Sequence, residues 1–342
     1  MTTASDTSRD ALWRRMFSGR SSAIWIATII LFVLSPLIAP GSLGTAPLLS
    51  MLPFASVLAI AAAGQTLVIQ QRGLDLSVPG MMALGAVLSS ALPQGEGWPV
   101  WLAVILGVVG PGVVGLINGF IVTVFRLAPL VATLGMNALL LGTVFFLANG
   151  TPSTAPAVLT KFALARTLGI PNTLIIAIVV IVIAGLLTQK SIIGRRLTAV
   201  GVSERAAIAV GIRVNLYQTF AYGFAGICYG AAGVLLAGYT QTPQLFLGDT
   251  YLLPTVAAVV LGGTVLTGGL ASVFASGIAA LFLTQLGQLL RALGWSDAQQ
   301  LIAQATVLIL VVLIREIVPR IANRVKSSRK APTTSRVDAT TP

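Results

Sequence analysis

The chain has 342 residues, of which 56% are hydrophobic and only 9% charged. Soluble domains carry about 25% charged residues, so this composition excludes a soluble fold of comparable length. The net charge is +12, but the basic residues flank apolar runs instead of forming one stripe, which excludes nucleic acid as a partner and points to a membrane surface.

Arg9, Arg14, Arg15 and Arg20 precede the first apolar run. No small-residue cleavage pattern follows, so 23–39 reads as a retained span and not a signal peptide. Further runs occupy 48–70, 77–93, 99–125, 128–148, 171–189, 217–238, 252–267, 271–290 and 299–317. About 20 apolar residues cross a hydrocarbon core of about 30 Å. The expected fold class is an all-α polytopic membrane protein with about ten transmembrane helices, since strict alternation, the mark of a barrel, is missing. Residues 1–22 form a basic N-terminal segment, 23–318 the membrane domain and 319–342 a disordered basic tail. With both termini cytoplasmic, every lysine and arginine except Lys161, Arg166 and Arg291 falls on the cytoplasmic side, as the positive-inside rule demands. The basic ends also suit anionic membrane lipid.

Glycines within the spans set close helix packing. Gly107, Gly110, Gly112, Gly115 and Gly119 form one series, and Gly223, Gly226, Gly230 and Gly233 another. Two segments interrupt the apolar pattern: Gln70–Pro79, with Arg72, Gly73, Asp75 and Ser77, and Leu261–Leu270, with Gly262, Gly263, Thr264, Gly268 and Gly269. Broken helices near the midplane mark transport paths, and similar breaks in two halves suggest an internal two-fold repeat. Gly64-Gln65-Thr66 and Gly262-Gly263-Thr264 each precede a second glycine-containing break, at Gly73 and at Gly268-Gly269. A lone carboxylate in this setting must be satisfied, so Asp75 caps the following helix or pairs with Arg72.

Residues 190–213 form a basic island between apolar runs. Ser203 is a good N-cap, Glu204 lies in the first turn, Ala206, Ala207, Ile208 and Ala209 favour helix, and Gly211 ends it. A short helix on the cytoplasmic face is placed to meet a soluble partner. Cys228 is the only cysteine and histidine is absent, so neither a disulfide nor a transition-metal site is expected. No phosphate-binding loop occurs, and the spans hold no paired carboxylates, so no cofactor and no catalytic residues are expected. Transport driven by a partner is favoured; an ion-coupled secondary transporter is the alternative, and an enzyme acting on lipid-linked substrates ranks last.

Four blocks in order carry a family resemblance. They are Gly64–Ile69 with Gly73–Val78, Gly115–Gly119 with Ala128–Gly135, Gly194–Ile212, and Ala257–Thr264 with Gly268-Gly269. Together they resemble the membrane permeases of ribose-type ABC importers over about residues 50–318. Pro79 stands where that family has glycine, Leu141 where arginine is common, and Gly201-Val202-Ser203 where Gly-Gly-Asn is usual. The resemblance implies a bacterial inner-membrane permease subunit for a monosaccharide or small polyol. It implies as partners separate ATPase subunits, an extracytoplasmic sugar-binding protein and a second permease subunit, identical or different. It also implies an ATPase-coupling loop with Gly194, Arg195, Arg196, Ser203, Glu204, Arg205, Ala206, Ala207 and Gly211. Candidates for the translocation path or its broken helices are Gly64, Gly73, Asp75, Ser77, Asn118, Gly262, Gly263, Thr264 and Gly268.

Overall fold

The computed structural model describes residues 22–307 together with 309, 310 and 313. The N-terminal basic cluster, the tail 319–342 and the end of the expected span 299–317 lie outside the described residues. The helices in chain order are α1 (Ser22–Ile38), α2 (Thr45–Gln70), α3 (Val78–Gly95), α4 (Val100–Val124), α5 (Pro129–Leu147), α6 (Ala157–Leu164), α7 (Asn172–Lys190), α8 (Ile192–Val202), α9 (Glu204–Ala209), α10 (Val214–Thr240), α11 (Leu252–Leu261) and α12 (Val273–Ala292). Residues 297–307 are also helical and are called α13. Six of these helices are long and apolar enough to cross a membrane among the described residues.

The bundle is built around α2, whose apolar residues face all directions. Such a helix is stable only when surrounded. Val57, Ile60, Ala61 and Val68 pack with α3 and α10. Leu58, Ala59, Ala62 and Ile69 pack with α11 and α12. Ala63 and Leu67 join α7, α8 and α10. Outside this core, Leu139, Phe145 and Phe146 of α5 and Ile29, Val33 and Leu37 of α1 stay exposed, as suits helices whose solvent is lipid.

Glycine decides how closely α10 approaches its neighbours. Gly85 of α3, Gly107 of α4 and Gly230 of α10 meet at one crossing. A Cβ on Gly85 would lie 2.7 Å from the Gly230 carbonyl, on Gly107 2.8 Å from the Gly85 carbonyl, and on Gly230 2.5 Å from the Gly107 carbonyl. The two glycine series expected to mediate packing thus face each other: Gly112, Gly115 and Gly119 abut α10, and Gly223, Gly226 and Gly230 abut α4.

Two expectations need correction, and one stretch between apolar runs carries structure of its own. The run 252–267 stops as a helix at Leu261, because Gly263, Gly268 and Gly269 adopt φ of +97°, +84° and +90°, which no continuing helix allows. The island 190–213 holds two helices, not one. Ser191 caps α8 by accepting from the Gly194 N–H at 3.1 Å, a start that sequence reading had missed. The loop 149–170 also carries structure: α6 packs on Gly238 of α10, and Arg166–Thr167 pairs antiparallel with Ile170–Pro171.

The glycine crossing makes a paired prediction. Gly230→Ala should destabilise the detergent-solubilised protein by about 1–3 kcal/mol through overpacking. Gly142→Ala, which meets nothing within 4 Å, should be neutral or stabilising by up to about 1 kcal/mol. Thermal unfolding of both variants beside the parent checks this; equal melting points would remove the close approach as a constraint.

Candidate functional site

The segment between α2 and α3 leaves the helical ladder largely inside the protein, with Gln71, Gly73, Asp75 and Ser77 buried and Leu74 and Leu76 half-buried. Leu74, Asp75 and Leu76 therefore lack helical partners where water has little access, and side chains satisfy their peptide groups. Gln65 of α2 donates to the Asp75 carbonyl at 3.2 Å. The Tyr229 hydroxyl donates in turn to Gln65 Oε1. Thr133 of α5 accepts from the Leu76 N–H at 3.0 Å, and Asn137 accepts from the Gly80 N–H at 2.8 Å. Four helices converge on one interrupted stretch.

Asp75 neither pairs with Arg72 nor caps a helical N–H; it closes a turn onto Ser77, the N-cap residue of α3. Its Oδ1 accepts from the Ser77 N–H at 2.9 Å and from the Ser77 hydroxyl at 2.5 Å, a local turn that starts α3. Asn118 of α4 donates to the same Ser77 hydroxyl at 3.0 Å. The alternative pairing with Arg72 does not form. Arg72 turns away at φ +71° and donates from Nε to the Gly201 carbonyl at 2.7 Å and from Nη2 to the Val202 carbonyl at 2.5 Å. The guanidinium fork suits two adjacent carbonyls, here those left unpaired at the end of α8.

The second break meets the first at this point. The Gly269 N–H donates to the Gln70 carbonyl at 2.7 Å. A Cβ on Gly268 would strike Arg72 Cγ at 2.5 Å and the Gly201 carbonyl at 2.8 Å. The end of α2, the end of α8 and the loop 262–272 therefore form one junction. Immediately beyond it stands α9. Ser203 accepts from the Ala206 N–H at 3.3 Å, and Gly211 reverses the chain at φ +79°. Ala207 anchors α9 on Val200 and Val214, whereas Glu204, Arg205, Ala206, Ile208 and Val210 are exposed. Behind it, Arg195 donates to the Lys190 carbonyl at 3.2 Å, and Arg196 donates to the Tyr217 hydroxyl and lies over its ring. Gly194 is required because a Cβ there would run into the Thr188 carbonyl.

The path candidates divide by place. Gly73, Asp75, Ser77 and Asn118 belong to the first network, and Gly268 to the junction. Gly64 lies inside α2, where a Cβ would be 3.0 Å from Ala225 Cα; Gly262 caps α11 against Ser276. Gly263 follows Gly262 at positive φ, and Thr264 is buried with its N–H bonded to the Val259 carbonyl at 3.2 Å. Gly64-Gln65-Thr66 is thus mid-helix and Gly262-Gly263-Thr264 terminal. Thr133, Asn137, Tyr222 and Tyr229 were not singled out in the sequence. Each sits in an apolar span, and Thr133, Asn137 and Tyr229 find partners only in three dimensions, whereas the buried Tyr222 hydroxyl has no hydrogen-bond partner among the described residues.

The model of the family described as "branched-chain amino acid transport system / permease component" matches residues 48–314. The ribose import permease protein of Bacillus subtilis is 32% identical over 293 residues, covering 85% of this chain and 91% of that one. The ribose import permease protein of Escherichia coli K12 is 33% identical over 295 residues, with 84% and 91% covered. The fructose import permease protein of Bifidobacterium longum is 30% identical over 284 residues, with 81% and 79% covered. No solved structure matches the chain.

The Asp75–Ser77 turn predicts an asymmetric pair of variants. Asp75→Asn keeps a carbonyl acceptor for Ser77 and should cost less than about 1 kcal/mol, whereas Asp75→Ala orphans two buried donors and should cost about 1–3 kcal/mol. Thermal melts in detergent separate the two; equal losses would show that charge, not the turn, is what the site requires.

Proposed function

We propose, from the premise that this chain belongs to the branched-chain amino acid transport system / permease component family, that it is the membrane permease subunit of a sugar-importing ABC transporter. Relatives named as ribose and fructose import permeases, matched over most of both chains, support sugar as the cargo class. They do not favour an ion-coupled secondary transporter. Conducting a solute across a multi-pass membrane domain is not an enzymatic reaction, and the energy enters through a separate ATPase.

The observation that carries the reading is α9. It is a capped surface helix, which we place on the cytoplasmic side, whose inner face rests on a small core while Ile208, and Val210 just past its end, are exposed. Exposed apolar side chains beside Glu204 and Arg205 suit a groove on a soluble partner. We assign Ser203–Gly211 as the ATPase-coupling helix, with Gly194, Arg195 and Arg196 shaping its support. Nucleotide-driven movement of the ATPase would push α9. Arg72 would carry that push from Gly201 and Val202 into the α2–α3 break and the loop 262–272, opening the path to one side at a time. The remaining assembly follows the same logic: about ten spans, termini in the cytoplasm, a second permease subunit across the path, surrounding lipid and a sugar-binding protein on the far side. The arrangement of the basic residues supports this orientation.

Two variants test the assignment. Ile208→Asp should lower the ATPase recovered with the tagged permease at least about tenfold while leaving membrane insertion intact. Arg72→Ala should keep ATPase bound, yet lose most sugar uptake and leave ATP hydrolysis unresponsive to the loaded binding protein. A chain that brings down no ATPase at all, and moves sugar alone under an ion gradient, would refute the proposal.

A further inference from the structure

A cavity of about 1140 Å³ opens at the end of the bundle opposite α9. It is bounded by the first half of α2, the end of α10, the segment 242–251, the start of α11, the end of α12 and the start of α13. Its deepest residue on α2, Leu58, lies about 18 Å along the helix from Gln70 at the junction. None of the path candidates read from the sequence lines it. Two independent features mark it as built for a ligand.

The first is polar periodicity. Thr284, Gln288 and Arg291 of α12 line the cavity at i, i+4 and i+7, which is one helix face. Asp297, Gln300 and Gln304 of α13 line it at i, i+3 and i+7. Two polar stripes therefore look into one space. In a helix surrounded by lipid or apolar protein, polar side chains are costly and mark solute pathways. The second feature is Gly287, on α12 between the stripes. A Cβ there would meet only side-chain ends, Gln304 Nε2 at 3.3 Å and Gln300 Oε1 at 3.7 Å. This glycine does not admit a neighbouring backbone, as Gly230 and Gly85 do; it leaves room in the cavity.

The lining also defines the ligand. One arginine and one aspartate balance in charge, so an anionic sugar phosphate gains no net attraction. Glutamine amides both donate and accept, and threonine hydroxyls do the same, matching the hydroxyl groups of a sugar, which also do both. Phe54 and Phe246 add apolar faces for the C–H side of a ring. The volume exceeds the range of about 300–1,000 Å³ typical of small-molecule sites, leaving room for a monosaccharide and its water.

We infer that this cavity is the extracytoplasmic receiving site for a neutral monosaccharide, recognised by the facing stripes of α12 and α13. The inference rests on the permease reading above and locates where the cargo enters. Sugar handed over at this end would lie at the side of the bundle remote from the ATPase, with the α2–α3 break and the loop 262–272 between them.

The test uses the complete transporter, with its ATPase and binding protein, and follows uptake of radiolabelled ribose, fructose and leucine. Gly287→Phe should fill the cavity and lower sugar uptake at least about tenfold, with ATPase recovery unchanged, whereas Gly287→Ala should keep uptake within about twofold. The double variant Gln288→Leu/Gln304→Leu should also depress sugar uptake, and it decides the matter should Gly287→Phe fail to assemble. Assembled cavity variants that transport sugar at the parental rate would overturn the site. Uptake of leucine but no sugar, sensitive to the same variants, would overturn the ligand chemistry. A parental chain that neither binds an ATPase nor moves any of the three probes would instead defeat the permease reading beneath it.

Discussion

Between α2 and α3 the chain gives up helical hydrogen bonds where water has little access, and the rest of the bundle is arranged to supply substitutes. Peptide groups left bare in a low-dielectric interior cost more than most packing contacts return. Gln65, Thr133, Asn137, Asn118 and the Asp75–Ser77 turn answer that cost from three separate helices and the break itself. Because each donor or acceptor must lie within about 3 Å of its partner, the network fixes the relative positions of α2, α3, α4 and α5. A soluble protein would leave such a segment to solvent; here the segment organises its surroundings.

Close packing makes the same demand at the level of backbone. The crossing of Gly85, Gly107 and Gly230 brings carbonyls of three helices within reach of where a side chain would stand. Without an exposed-to-buried transfer to drive association in lipid, close van der Waals approach and buried hydrogen bonds hold helices together. The bundle is consequently rigid around α2 and α10, and its irregular backbone is concentrated at one junction. There Arg72, Gly201, Gly268 and Gln70 connect the α2–α3 break to α8, and through it to α9. A rigid body with one well-connected irregular joint is suited to passing displacement from a surface helix to its interior.

Much of this was legible in the sequence where a local rule applies. Ser203, Glu204 and Gly211 announce α9 because capping is decided within a few residues. The glycines of α4 and α10 announce close packing, since small residues at helical spacing have few other uses. The limits of α1, α2, α4, α5 and α7 fall within a few residues of the apolar runs that predict them. Other features escaped the local rules. Arg72 and Asp75 stand three positions apart with opposite charge, yet the arginine serves α8 and the aspartate serves Ser77. The break at Leu261–Leu270 was legible from its glycines, but not that the helix stops outright at Leu261, where the expected span 252–267 ran on.

The cavity at the far end shows the boundary most clearly. Gln288 and Gln304 are unremarkable letters in apolar runs, and their separate helical periods show only that each helix has a polar face. By itself the sequence determined that the chain must live in lipid, which segments become helices, and which short helix is capped. Those outcomes depend on composition and on interactions spanning a few residues. Tertiary structure alone decided which polar faces look at each other, which carbonyls Arg72 holds, and where a space remains open. These depend on contacts between residues up to about 250 positions apart, such as Gln285 with Ser35, whose partners no local pattern specifies.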